Sequence, residues 1–404
     1  MTPTARERYA QEVFVKVKRK GVLAALLAMV AALGVGVSVT GSASAATSGS
    51  IVIGWAFDSK GNMSPFDGPA LAAATARVKQ VNARGGVQIK ILTCDTQNNN
   101  PAKAKACAIS LLGQGANVIF TTCDVDYATP VVQEAINRGV LAIAPCIGTD
   151  QMGPKRFGSK GALAFSFGNV AQDEGSAMAQ WAYQKGWRSA GTGTNTLLAY
   201  FKVVVQAFEA RFKQLGGKIV DHETYATGAN NVQAAVSRLN GKKADVYVTS
   251  TSFGELPAFV TGMRALGNDT PILNSWAGDG TYWVPKAGVT NYYAVTFASA
   301  FGDDPNPAVN KLAKAVKAGT GGFVTGAAAI DGLVTAYARA GNTTNGTSLA
   351  AQLVKFKKVP TLSGLVSFTA SQHTVFGRQY RVISISGTKA RVVGSVVAKV
   401  VPKV

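Results

Sequence analysis

Ile51-Val-Ile-Gly-Trp-Ala-Phe57, Leu71 to Asn82, Gly85-Gly86, then Gln88-Ile-Lys-Ile-Leu-Thr93: the fold turns on how these residues are read. The first segment is almost continuously apolar, as a strand buried on both faces must be. The second puts Leu71, Ala74, Val78 and Val81 on one helical face, and the paired glycines end it. The third is apolar and β-prone again. Strand, helix and strand in succession make a parallel crossover unit. The intervening segment from Asp58 to Pro69 reads as a loop.

The rhythm continues in both directions from this unit. Pro101 to Leu112 reads as a helix, Asn117 to Thr122 as a strand, Thr129 to Arg138 as a helix stopped by Gly139, and Val140 to Ala144 as a strand. A short strand, Ala164-Phe-Ser-Phe167, leads into a second set. There, strands at Arg188 to Gly193, Lys218 to Asp221, Asp245 to Ser250 and Pro271 to Asn274 alternate with helices at Gln172 to Lys185, Leu198 to Leu215, Val232 to Leu239 and Leu256 to Leu266. Such alternation predicts two doubly wound α/β lobes with parallel sheets. After a strand at Tyr292 to Ala300 come helices at Pro307 to Lys317, Val324 to Ala340 and Ser348 to Phe356. The last strands, Leu365 to Phe368, Tyr380 to Ser386 and Ala390 to Ala398, have no helix between them and are expected to be antiparallel.

The chain has 404 residues, 47% hydrophobic and 15% charged, which excludes a disordered tail protein. Its net charge is +20. Six Lys/Arg and two acids lie in the first 46 residues, so the rest carries +16, scattered and without aromatic–basic interleaving. No nucleic-acid partner is expected. Diffuse attraction to an anionic surface fits better.

The N-terminus has the three parts of an export signal. Lys16-Val-Lys-Arg-Lys20 is basic, Gly21 to Val39 is a 19-residue apolar run, and Thr40-Gly-Ser-Ala-Ser-Ala45-Ala46 offers small residues for cleavage. Cleavage near Ala45/Ala46 would leave the mature chain extracytoplasmic, where disulfides persist. Residues 1–46 are assigned to the signal peptide; the rival reading is a transmembrane anchor, for which the run is long enough.

Catalytic signatures are sparse. There is no G-x-S-x-G elbow, phosphate loop, H-E-x-x-H pair or EF-hand loop. The two histidines, His222 after a strand and His373 in a turn, read as solvent-facing. No catalytic residue, metal or cofactor is assigned. Ligands of doubly wound sheets bind at the carboxyl ends of strands. Those ends carry Asp58 to Phe66, Cys94-Asp95, Thr122 to Asp124 and Cys146 to Thr149 in the first lobe. In the second they carry Asn195 to Phe201, Ser250 to Ser252 and Trp276 to Asp279. Phe66, Tyr127, Tyr200 and Trp276 are candidates for an apolar pocket. Asp124 and Asp279 are candidates either to pair with a ligand ammonium or to cap loops and helices. Strand-end N–H groups and helix N-termini are expected to favour an anionic ligand group. The cysteines allow three pairings, of which Cys94–Cys107 and Cys123–Cys146 would each tie down a rim loop; a redox role is the rival.

The order of these pieces resembles a known family. IVIGWAF, VNARGGV, IKILTCDTQNNNPAKAKACAISLL, GVLAIAPC, KQLGGKIV and DVYVTS together look like the branched-chain amino-acid (Leu/Ile/Val) type of periplasmic binding protein, the substrate-binding component of ABC importers. The resemblance runs from about Ile51 to Val397. It implies a type I fold: two Rossmann-like lobes joined by three crossovers near Phe165–Phe167, Thr296–Ser299 and Pro360–Leu362. The lobes would be residues 47–166 plus 299–360 and 167–298 plus 361–404. It further implies a monomer whose cleft closes on one small ligand, with a permease and an ATPase as partners. The binding positions it suggests are Phe66, Cys123, Asp124, Cys146, Gly148, Thr149, Tyr200, Thr251, Trp276 and Asp279. The sequence departs from the family in its long first loop, SKGNMSPFDGP, and in CDVDYATP after the third strand. Asp279 is the nearest acid to the family's amino-group partner. An amide or aromatic acid therefore stands beside an amino acid as a ligand class. The rival readings are an exported sensor or surface protein of the same fold, and a secreted α/β hydrolase.

Overall fold

The apolar run at Ile51 forms β1 (Ser50–Phe57), with Ile51, Ile53, Trp55 and Ala56 buried. It sits inside a five-stranded sheet ordered β2-β1-β3-β4-β5, where β2 is Gln88–Asp95, β3 Val118–Phe120, β4 Leu141–Ala144 and β5 Ala164–Ser166. Every pairing in it is parallel. The crossovers that parallel pairing demands are α1 (Ser64–Asn82), α2 (Pro101–Gly113) and α3 (Val125–Asn137). The short helix α4 (Pro154–Phe157) and a 3-10 turn precede β5. This computed structural model describes residues 50–284 and 289–404. The basic segment, apolar run and cleavage site read from the sequence lie outside the described residues. Ser48–Val404 forms a compact unit by itself.

Helix α5 (Ala171–Gln184) opens the second layer system. Its sheet is ordered β14-β13-β10-β9-β8-β6-β7. Here β6 is Ser189–Asn195, β7 Lys218–Tyr225, β8 Val246–Ser250, β9 Ile272–Asn274, β10 Tyr292–Thr296, β13 Gln379–Ser386 and β14 Lys389–Val397. The crossover helices are α6 (Ala199–Gln214), α7 (Ala229–Asn240) and α8 (Glu255–Ala265). Strands β6 to β10 are parallel, while β13 and β14 add antiparallel at one edge. In both sheets the first strand lies between the second and the third, so each has its strand-order reversal at the same place, β1/β3 and β6/β8. That reversal opens a crevice at the carboxyl ends of the strands.

Three helices, α9 (Pro307–Val316), α10 (Val324–Arg339) and α11 (Gly346–Leu353), follow β10 and return to the first sheet, α9 and α10 against α1 and α11 beside β4. The hairpin β11 (Val359–Thr361) and β12 (Gly364–Val366) also packs on this side, against α10. The third passage therefore differs from the one expected at Pro360–Leu362. Asp331 on α10 holds the Leu362 N–H at 3.0 Å, and the chain runs beside β5 at His373–Val375 before entering β13.

Arg378 joins the three passages. It stands at the end of the third, and its guanidinium donates to the carbonyls of Phe167 (2.8 Å) and Gly168 (3.3 Å) on the first and of Ser363 (2.8 Å) in the turn of the β11–β12 hairpin. It also lies 4.9 Å from the ring centre of Phe297 on the second.

Two local expectations change. Helix α1 begins at Ser64, not Leu71, because Pro65 starts a helix readily and Asp58 satisfies the N–H groups ahead of it. His373 is buried and stacked on Phe165 at 4.1 Å, not solvent-facing. His222 lies within β7, half exposed, 2.5 Å from Glu209.

Candidate functional site

The first rim is built around carboxylates. Asp58, immediately after β1, accepts from the N–H groups of Gly61 (2.7 Å) and Met63 (2.9 Å), folding the chain into α1. Asp67, in the first turn of α1, accepts from Asp58 N (2.8 Å) and Cys123 N (2.9 Å), which ties the β1 loop to the β3 loop. Burial pushes the Asp67 carboxyl up to about 7. Between these anchors Phe66 is held at the cleft edge. Asp124 caps α3, its Oδ1 accepting from Asp126 N (2.9 Å) and Tyr127 N (3.3 Å). Burial, then the neighbouring Asp126 charge, raises it to about 6. The bridge Cys123–Cys146 joins the β3 and β4 loops, and Cys94–Cys107 ties the end of β2 to α2.

The opposing rim comes from the second sheet. Tyr200, in the first turn of α6, donates its hydroxyl to Glu174 Oε2 at 2.7 Å. Trp276 N donates to Glu174 Oε1 at 2.6 Å. Glu174 is wholly buried on α5, and burial raises its carboxyl to about 8. The Tyr200 ring lies on Gly148 of the first rim: a Cβ added at Gly148 would sit 2.7 Å from ring carbons. Phe253, at a left-handed φ of 53°, adds another ring.

Aromatics meet across the gap. Phe66 presents itself edge-on to Trp276 at 5.0 Å, Tyr282 at 6.2 Å and Phe253 at 6.3 Å between ring centres. Such edge contacts are favourable beyond the area they bury. The space left between the rims is small, about 20 Å³.

Six of the ten expected residues line this space: Phe66, Cys123, Asp124, Gly148, Tyr200 and Trp276. Four do not. Cys146 stands behind the wall in its bridge, and Thr149 accepts at its carbonyl from Thr374. Thr251 accepts from Asn195 at 2.9 Å, within the second rim's own network. Asp279 Oδ2 is engaged by Thr296 and, at 2.6 Å, by Gly321 N; burial raises it to about 7. Gly321 precedes α10, so Asp279 fastens the β9 loop to the helices covering the first sheet.

Met63, Leu198, Phe201, Ser252, Phe253 and Ala277 complete the lining. Most fall inside the loop ranges read from the sequence, but Phe253 and the underlying Glu174 do not. A small-residue helix face around an acid, Asp-Glu-Gly-Ser-Ala at 173–177, was the one available signal for Glu174.

A family model described as periplasmic binding protein matches residues 50–390. The chain belongs to the periplasmic binding protein family. Solved structures agree on the fold of this periplasmic binding protein, type I with two α/β lobes. A branched-chain amino acid transporter substrate-binding protein from Streptococcus pneumoniae, in complex with isoleucine, is 20% identical, with a TM-score of 0.73 over 86% of this chain and 99% of that one. A leucine-binding protein from Thermotoga maritima is 15% identical, with a TM-score of 0.72 over 86% and 98%. An ABC transporter solute-binding protein from Rhodopseudomonas palustris, in complex with 3,4-dihydroxybenzoic acid, is 17% identical, with a TM-score of 0.68 over 87% and 99%. No curated protein sequence matches this periplasmic binding protein. No helix among its described residues is long and apolar enough to cross a membrane.

Proposed function

We propose that the protein is an extracytoplasmic solute-binding component of an ABC importer that captures one small organic molecule between its lobes. The observation that carries this reading is the cleft at matching strand-order reversals of two sheets, walled by aromatics from both. A ligand touching both rims binds the closed form better than the open one, which is what a population shift requires. Phe66, Cys123, Asp124, Gly148, Tyr200 and Trp276 are the contact residues in this reading. The amino-acid and aromatic-acid complexes of similarly folded proteins suggest ligands of that size, with an apolar body and one or two polar groups.

In this reading residues 1–46 are removed near Ala45/Ala46, the mature monomer meets a permease with its ATPase, and no catalysis occurs. Residues 47–166 with 299–366 form one lobe, and 167–298 with 379–404 the other. A thermal-shift and fluorescence screen of amino acids, amides, amines and aromatic acids on the Ser48–Val404 unit tests it. At least one compound should raise the melting temperature and alter Trp276 emission. Silence across the panel would overturn the reading.

A further inference from the structure

Resting on that capture reading, we propose that the ligand is a small organic ammonium ion with an apolar body and no free carboxylate. The cleft lining contains no Lys, Arg or His, although the chain as a whole carries +20. Its one charged residue is Asp124. The Asp124 Oδ1 serves both α3 N–H groups, and Oδ2 has no hydrogen-bond partner among the described residues. That free oxygen belongs to a side chain only 4% exposed, on the wall of the cavity. The nearby cation Arg156 is engaged 2.9 Å from Asp126.

An anionic ligand group would need a charged partner or an open helix N-terminus. The sequence suggested such termini, but the protein's own carboxylates take up the start of α3 (Asp124) and the turns ahead of α1 (Asp58) and α10 (Asp279). Helix α8 carries Glu255 in its first turn; α6, whose Leu198, Tyr200 and Phe201 line the cleft, begins without a side-chain cap. A carboxylate entering here would find that one helix terminus but no side-chain cation to offset Asp124.

A cation meets the opposite situation. Phe66, Tyr200, Phe201, Phe253 and Trp276 surround the space, and ring faces attract ammonium groups most strongly where water is excluded. The Asp124 Oδ2 then supplies the charged hydrogen bond. Aromatic walls and a single acid select an amine by its head and its body together.

The test is calorimetric titration of the Ser48–Val404 unit with two matched series. The phenyl series is phenethylamine, phenylalaninamide, 3-phenylpropionamide, phenylalanine and 3-phenylpropionate; the isobutyl series replaces phenyl throughout. In at least one series the amine and the amino amide should bind at least ten-fold more tightly than the two carboxylates. Asp124→Asn keeps a capping side chain, so it should melt like the native protein while losing that preference. A carboxylate that binds as well as its amine, or an Asp124→Asn protein that retains the preference, would overturn the ammonium assignment and leave capture standing. No binding in either series would overturn both.

Discussion

Gly148 and Tyr200 show how little room the cleft leaves. A side chain at Gly148 must displace the Tyr200 ring, which is itself fixed through Glu174 to the Trp276 backbone. Gly148→Val should therefore weaken any cleft ligand at least ten-fold, measured by calorimetry, while fluorescence reports an altered Trp276 environment. Unchanged affinity would remove Gly148 from the contact set. Glu174 makes a separate pH prediction. Its unfolded carboxyl titrates near 4.5 and its folded one near 8. Between these values the unfolded chain releases a proton that the folded chain retains, so this residue's contribution to stability falls as pH rises. Glu174→Gln should gain on the native protein by about 1–3 kcal/mol between pH 4.5 and 8, read by denaturant unfolding. Parallel stability curves would contradict burial as the cause of the shift.

At the scale of elements, the passages between the sheets depend on Arg378. Its removal leaves carbonyls on the first passage and in the β11–β12 hairpin without their charged donor, and hydrogen bonds to charged groups contribute more than neutral ones. Arg378→Met, which keeps most of the packing, should cost about 2–4 kcal/mol of stability in denaturant unfolding. A loss below about 0.5 kcal/mol would show that the junction does not rely on it. The Cys94–Cys107 bridge closes a separation of 13 residues, and its replacement by two serines should cost about 2–4 kcal/mol by the same measurement. Strand and helix order was legible because parallel sheets impose long apolar strands and periodic helices. Of the β11–β12 hairpin, a strand at Leu365 to Phe368 was read, but its partner Val359–Thr361 was not, since Pro360 breaks its pattern. The early start of α1 was hidden because the acid that folds the turn ahead of it, Asp58, lies six residues before it.

The whole molecule combines a basic exterior with an interior cleft whose one lining charge is negative. Sequence composition reveals the first and not the second, because net charge sums over residues whose positions only the fold decides. Loop positions at the strand ends were readable through the rule for doubly wound sheets. Which of their side chains face the gap was not: Thr149, Thr251 and Asp279 turn into local networks. Both sheets reverse strand order at equivalent places, and Phe66 of one meets Trp276, Phe253 and Tyr282 of the other. Opening must separate those rings, so Phe66→Ala should favour the open form. Small-angle scattering of the Ser48–Val404 unit, with and without the tightest-binding amine of the matched series, measures this motion. The native protein should have a smaller radius of gyration with the amine than Phe66→Ala has without it, and the amine should contract the variant. Identical radii for both proteins, with and without a bound amine, would contradict a ligand gripped by two moving lobes.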